Sequence, residues 1–214
     1  MRAGPSAEDL RFMSRALELA LAQLGRTSPN PSVGCVIVAN GAVIGEGATG
    51  RSGRPHAEEI ALAQAGESAI GATAYVTLEP CNQRSNGSFS CSQLLLGSGV
   101  ARVVIACQDP HPLGAHGAMR LTASGVAVEI GLMRTEAEAL NAGFFKHLAT
   151  GRPWLAIDGD ASTYDGEFDL QRDETYEAAL DRLGAKGWTR VCVLPDTALA
   201  AQLKARGLVD EARS

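Results

Sequence analysis

Apolar positions recur at helical spacing near the start of the chain. Phe12, Met13, Ala16, Leu17, Ala20, Leu21 and Leu24 share one stripe, which predicts a helix over about 9–24 with Gly25 as its stop. The pattern breaks over 27–32, a turn-rich stretch holding Pro29 and Pro31, and returns as the apolar run 33–38. Asn40-Gly41 is a two-residue hairpin signal, and Val43-Ile44 begins the return strand. His56-Ala57-Glu58-Glu59 opens the next helix, which continues through Ile60, Leu62 and Ala65. Residues 75–78 form a buried strand that runs into Glu79-Pro80-Cys81, and a polar loop over 82–90 leads to a helix starting at Cys91. A strand over 100–107, the loop Asp109-Pro110-His111-Pro112, a short helix near 117–123 and a strand over 126–130 follow. A helix over 135–148 closes this part.

Alternating helices and strands with short connections predict an α/β fold, a three-layer α/β/α sandwich. The composition shifts at Thr150-Gly151-Arg152-Pro153, which divides a domain over 1–150 from an α/β appendage over 151–214. In the appendage the pattern predicts strands at 154–157 and 190–194 and helices at 174–183 and 199–206. So short a piece is expected to pack on the main body or on a partner subunit.

Composition narrows the picture. The formal net charge is -5 and the basic residues are scattered, which argues against a nucleic-acid surface. No apolar run after Arg2 resembles a signal peptide, and no stretch has the length of a membrane span. The 5 cysteines, an odd number, fit poorly with a secreted disulfide scaffold, so the cytoplasm is the default location. Cys35, Cys107 and Cys192 lie in apolar runs and are expected as buried structural thiols. Cys81 and Cys91 sit among turn residues and need another explanation.

His56 and Cys91 each open an expected helix, and Cys81 follows an expected strand, which points all three toward one end of the sheet. One imidazole and two thiolates suit zinc, a borderline-soft ion that favours tetrahedral coordination. Three protein ligands leave the fourth position to water, as a catalytic site requires and a structural one does not. Glu58 is placed to reach that water without being a ligand. It would take the water proton, pass it to a ring nitrogen and then protonate departing ammonia. Taken alone, His-Ala-Glu is also a good capping sequence, and the spacing of the cysteines is modest evidence. In this order and at these element ends, the set matches the nucleobase-deaminase pattern of histidine-x-glutamate, proline-cysteine and a second cysteine.

Residues 12–150 also resemble the deaminase domain of the bifunctional riboflavin-biosynthesis deaminase/reductase family. The resemblance is carried by TSPNPSVGCVIV at 27–38, GRPHAEEIAL at 53–62, GATAYVTLEPC at 71–81, ARVVIACQDPHPLGAHG at 101–117 and ALNAGFFKHLATGRPW at 139–154. It implies a cytidine-deaminase-like sandwich that uses Zn2+ to deaminate a diaminopyrimidinone phosphoribosyl intermediate. It also implies that Asn30 hydrogen-bonds the substrate ring, since its amide offers a donor and an acceptor. The alternative is an asparagine that shapes the Pro29-Asn30-Pro31 turn. Asp109 matches the family's aspartate in the loop after the following strand, in ligand binding or in shaping that loop.

Three departures bear on the substrate. In CNQRSNGSFSC, Gln83 stands where the family has histidine, and the loop carries an additional residue. Thr49 stands at or near the place of a second histidine, which leaves Arg84 as the candidate phosphate contact in an altered setting. The segments 149–170 and 205–212 resemble an early and a later part of the family's reductase domain, with most of the middle missing and Asp158 in place of its lysine. No reductase activity and no NADPH site are expected of this tail, which would instead stabilise the deaminase or its oligomer.

The expected partner is a small aminated heterocycle. Another aminopyrimidine, a purine or a pteridine-like compound is the second enzymatic reading. A nucleic-acid deaminase fits the charge poorly, and a catalytically silent scaffold would have no need of Glu58. Association through the helical layers predicts a homodimer or homotetramer.

Overall fold

A computed structural model describes residues 6–84 and 87–213, and the chain forms two compact units. One unit takes the chain up to Ala22, with Ser32–Gly50 and Arg54–Leu140; the other takes Gln23–Pro31, Arg51–Gly53 and the chain from Asn141 onward.

The first unit is built on a 5-stranded sheet in the order β2-β1-β3-β4-β5. Its strands are β1 (Gly34–Ala39), β2 (Ala42–Ala48), β3 (Thr73–Leu78), β4 (Arg102–Cys107) and β5 (Ala127–Ile130). β1 runs antiparallel to β2 and β3, while β3, β4 and β5 are parallel. The β1–β2 turn is the Asn40-Gly41 pair, with φ of 50° and 75°, which matches the left-handed geometry of a two-residue hairpin. β1, β3 and β4 are buried along almost their whole length, as strands covered on both faces must be.

The helices are α1 (Ala7–Leu21), α2 (Ala57–Ala65), α3 (Cys91–Gly97), α4 (Gly117–Ala123) and α5 (Arg134–Leu140). Two glycines reveal the layering. Gly34 in β1 pairs with Ala48, so the adjacent Gly47 faces the opposite side of the sheet. A side chain at Gly34 would meet the Ala16 carbonyl of α1 at 1.8 Å, whereas one at Gly47 would meet the Ala57 carbonyl of α2 at 2.5 Å. α1 and α2 therefore cover opposite faces. α5 packs with α1, and α3 and α4 follow α2 in succession, which completes the α/β/α sandwich.

Gly45 and Gly47 let α2 approach the sheet at backbone distance, since a Cβ at Gly45 would lie 2.1 Å from the Ala61 carbonyl. That approach sets where the first turn of α2 lies. On the other face, Ser6 caps α1 and Asp9 ties it to the sheet: its Oδ1 accepts from the Tyr75 hydroxyl at 2.8 Å and from Arg102 Nη1 at 2.7 Å. The Arg102 hydrogen bond leads in holding the Asp9 carboxyl well below the usual carboxylate range, against the opposing effect of burial.

The second unit carries a 4-stranded sheet in the order β7-β8-β6-β9, with every pairing parallel. Its elements are α6 (Ala142–Thr150), β6 (Trp154–Ile157), β7 (Gly166–Glu167), α7 (Tyr176–Ala185), β8 (Arg190–Val193), α8 (Ala198–Ala205) and β9 (Glu211–Ala212). Leu155, Leu180, Leu183, Val191 and Leu203 form its core at 0–2% exposure. This unit joins the segments 23–31 and 51–53 to the chain from Asn141 and has a core of its own. The single helix expected over 135–148 is two, α5 and α6. They are separated at buried Asn141, whose φ of -96° and ψ of 13° leave the helical region. Asn141 and Gly143 are both poor helix formers, a local signal that the apolar period on either side of them runs straight through.

Two outcomes follow from these contacts. G47A would press a methyl against the backbone of α2 and is expected to cost about 1–3 kcal/mol of stability in urea unfolding. A wild-type midpoint would show that α2 is not held by this approach. The stability owed to Asp9 is present above its unfolded pKa and is lost as pH falls through its depressed folded value. The gap between wild type and D9N should therefore be constant above about pH 5 and narrow below about pH 4; a gap flat across that range would contradict the Arg102 pairing.

Candidate metal centre

β3 ends at Leu78, and the next residues turn across the end of the sheet. Glu79 fixes that turn. Its backbone N–H donates to the Cys107 carbonyl at 2.9 Å, its Oε1 accepts from Ala118 N–H at 2.9 Å, and its Oε2 accepts from Asp109 N–H at 3.4 Å. Gly117 lets α4 close on the turn, because a Cβ there would sit 1.7 Å from the Pro80 carbonyl. Cys81 is thus presented from a braced loop. Ser90 caps α3 with Gln93 in reciprocal hydrogen bonds, which starts that helix at Cys91. The α3 N-terminus then faces Cys81: Cys91 N–H donates to Cys81 Sγ at 3.2 Å, and Ser92 N–H to the Cys81 carbonyl at the same distance. His56 occupies the N-cap position of α2, with its backbone N–H held by Glu59 Oε2 at 2.7 Å.

These placements bring His56, Cys81 and Cys91 together, with their ligand atoms all within 4.8 Å of one another. His56 Nδ1 lies 3.2 Å from Cys91 Sγ and 3.8 Å from Cys81 Sγ. Donors about 2.0–2.3 Å from a tetrahedral zinc stand roughly 3.5–3.8 Å apart, so spacing and donor chemistry both fit the ion. The hydrogen bond from Cys91 leads in drawing the Cys81 thiol down to about 4, aided by the His56 ring and the Cys91 N–H against the opposing effect of burial.

Glu58 lies in the first turn of α2 and is 3% exposed. Glu58 is not one of the clustered ligands, and the His56, Cys81 and Cys91 side chains all bear on its carboxyl. Burial leads in pushing its carboxyl above the usual range. Of the two glutamates that open α2, Glu59 makes the capping hydrogen bond to the His56 backbone N–H, which leaves the buried Glu58 free of that role.

The expected substrate contacts scatter more widely. Arg84 reaches the cluster, with Nη1 donating to Glu59 Oε1 at 2.9 Å and Nη2 to Cys91 Sγ at 3.4 Å. Gln83 is exposed, and its backbone N–H donates to the Leu113 carbonyl at 3.0 Å. Thr49 is buried, and its hydroxyl is engaged with the Val33 backbone, accepting from the N–H at 2.9 Å. Asp109 is buried under the Glu79 turn and accepts from His111 N–H at 2.8 Å; burial leads in raising its carboxyl to about 6. Asn30 belongs to the second unit, where its Nδ2 donates to the Ser52 carbonyl at 3.1 Å. Glu59 and Glu79 are the residues whose importance the sequence pattern understated; the capping-box spacing was the available signal for Glu59. Beside the cluster a cavity of about 500 Å³ is lined by residues that include Pro55, Glu59, Arg84, Phe89 and Leu94.

Comparison with known proteins agrees with this geometry. Residues 6–107, which include all three clustered ligands, match the cytidine and deoxycytidylate deaminase zinc-binding region. The riboflavin biosynthesis protein RibD of Escherichia coli is 48% identical over 169 residues, covering 75% of this chain and 45% of that protein. The chain thus spans less than half the length of that relative. A diaminohydroxyphosphoribosylamino-pyrimidine deaminase of Buchnera aphidicola is 46% identical over 146 residues, covering 68% of this chain and 99% of the relative. In fold, the chain is similar to a deaminase/reductase of Thermotoga maritima, with a TM-score of 0.80, 23% identity, and coverage of 93% of this chain and 84% of that one. With the Buchnera deaminase matched along almost its full length, the chain belongs to the RibD/diaminohydroxyphosphoribosylaminopyrimidine deaminase family.

Proposed function

We propose that the chain is a zinc-dependent aminohydrolase that replaces an exocyclic amine on a pyrimidine-like ring with a carbonyl, releasing ammonia. The observation that carries this reading is the convergence of one imidazole and two thiols, with a buried glutamate beside them that is not part of the ligand set. His56, Cys81 and Cys91 would hold the ion. A zinc bound there acidifies water toward a pKa of about 7, supplying the nucleophile near neutral pH. Glu58 would accept one water proton and deliver it to the ring nitrogen as hydroxide adds, then accept the proton of the added hydroxyl and pass it to the amine, which leaves as ammonia while the carbonyl forms. Its burial excludes bulk water from that transfer.

The phosphoribosylated diaminopyrimidine that names the relatives is the first substrate to test, and family membership supports it. A second reading has its own observation. Arg84 is already paired to Glu59 and Cys91, and Gln83 stands in the family histidine's place, which favours a heterocycle without a phosphoribosyl tail. Asn30 and Asp109 stay as proposed substrate-side residues. The cytoplasm suits the chain, since its 5 cysteines are all free. No helix among the described residues is long and apolar enough to cross a membrane.

E58Q is expected to lower kcat by about 10²–10⁴-fold while zinc content stays at the wild-type level. Steady-state kinetics paired with metal analysis reads both, and an E58Q enzyme of wild-type kcat would overturn the assignment of the proton carrier. Comparing kcat/KM for the phosphorylated intermediate and its phosphate-free form separates the two substrate readings. A strong preference for the phosphate supports the first, and equal or inverted values support the second.

A further inference from the structure

Arg84 lies in the loop between the two cysteines, yet its side chain is 4% exposed. A residue meant to meet a ligand phosphate would keep its fork open. Here both terminal nitrogens are engaged: Nη1 donates to Glu59 Oε1 at 2.9 Å, and Nη2 to Cys91 Sγ at 3.4 Å. Through its other oxygen Glu59 holds the backbone N–H of His56 at 2.7 Å. A continuous chain of hydrogen bonds therefore runs from the backbone of the imidazole ligand, through a carboxylate and a guanidinium, to the sulfur of a thiol ligand.

We propose that Arg84 is a positioning residue for the metal centre. Its hydrogen bond to the Cys91 sulfur sets how strongly that sulfur donates to a bound metal, and its pair with Glu59 fixes the spacing between Cys91 and His56. The proposal rests on the zinc reading of the site and concerns the layer behind the ligands.

Three physical points carry it. Hydrogen bonds between ionised groups in a buried setting are short and strong, and partners behind metal ligands orient them and tune their basicity. The planar guanidinium fork can serve two partners at once, which a lysine ammonium on a flexible stem cannot do with the same geometry. The other thiol has a backbone donor as well, the Cys91 N–H on Cys81 Sγ at 3.2 Å, whereas the donor at Cys91 Sγ is the Arg84 Nη2 at 3.4 Å. Glu59 is itself partly buried, and losing Arg84 would leave its carboxylate without the cation that the fold provides.

The test uses the full chain as wild type, R84M, R84Q and R84K, each loaded with Co2+ in place of zinc. The thiolate-to-cobalt charge-transfer band reports the donor strength of the sulfurs, and competition with a chromophoric chelator reports zinc affinity. A hydrogen bond lowers the energy of the sulfur lone pairs. Its loss in R84M and R84Q should therefore move the band to longer wavelength and weaken zinc binding about 10–100-fold. R84K should fall between these variants and wild type. Should R84M fail to fold, as judged by circular dichroism of the metal-free chain, the more polar R84Q carries the comparison. A wild-type band position and affinity in the charge-removed variant that folds would overturn the proposal while leaving the metal site standing. A wild-type chain with no thiolate-to-cobalt band at all would overturn the metal reading, and the proposal with it.

Discussion

Holding two cysteine sulfurs and an imidazole nitrogen within 4.8 Å of one another, largely away from water, is the demand to which the rest of the first unit answers. Sulfurs bearing negative charge repel and lose hydration when buried, so each needs a donor. Cys81 receives one from the N-terminal N–H of α3, and Cys91 receives one from Arg84. Both donors come from groups whose own positions are fixed. The α3 start is set by the Ser90–Gln93 capping box, and Arg84 is held by Glu59.

The sandwich transmits the same constraint outward. α2 delivers His56, Glu58 and Glu59 from a single turn, and that turn lies where Gly45 and Gly47 allow backbone contact with the sheet. The loop bearing Cys81 is fixed by Glu79, a buried carboxylate that accepts from two backbone N–H groups, and by the close seat of Gly117 on Pro80. A metal site on rigid elements keeps its donors near their working positions, which is the precondition for leaving one coordination position to water.

Much of this was legible in the sequence because its signals are local. Asn40-Gly41 states its turn, helix starts declare themselves at His56 and Cys91, and the order of histidine, glutamate and cysteines names the chemistry. What stayed hidden depends on choices among partners that only the folded chain offers. Spacing does not reveal the partners of Thr49 and Arg84, since a hydroxyl and a guanidinium take whatever acceptor burial supplies, here the Val33 backbone, Glu59 and Cys91. Glu79 appeared as part of a turn, since nothing in its spacing reveals which distant N–H groups it meets. The make-up of the second unit was not legible for a related reason. Its strands β7 and β9 are too short to show periodicity, and its segments at 23–31 and 51–53 come from elsewhere in the sequence.

The central claim is an open three-ligand metal site with an unligated glutamate beside it. A crystal structure of the zinc-loaded chain, with anomalous data at the zinc edge, addresses it most directly. The expected result is one peak bonded to His56 Nδ1, to Cys81 and Cys91 Sγ at about 2.3 Å, and to one water, with Glu58 within hydrogen-bond reach of that water. A fourth protein ligand, Glu58 bound to the ion, or a peak away from these residues would contradict it.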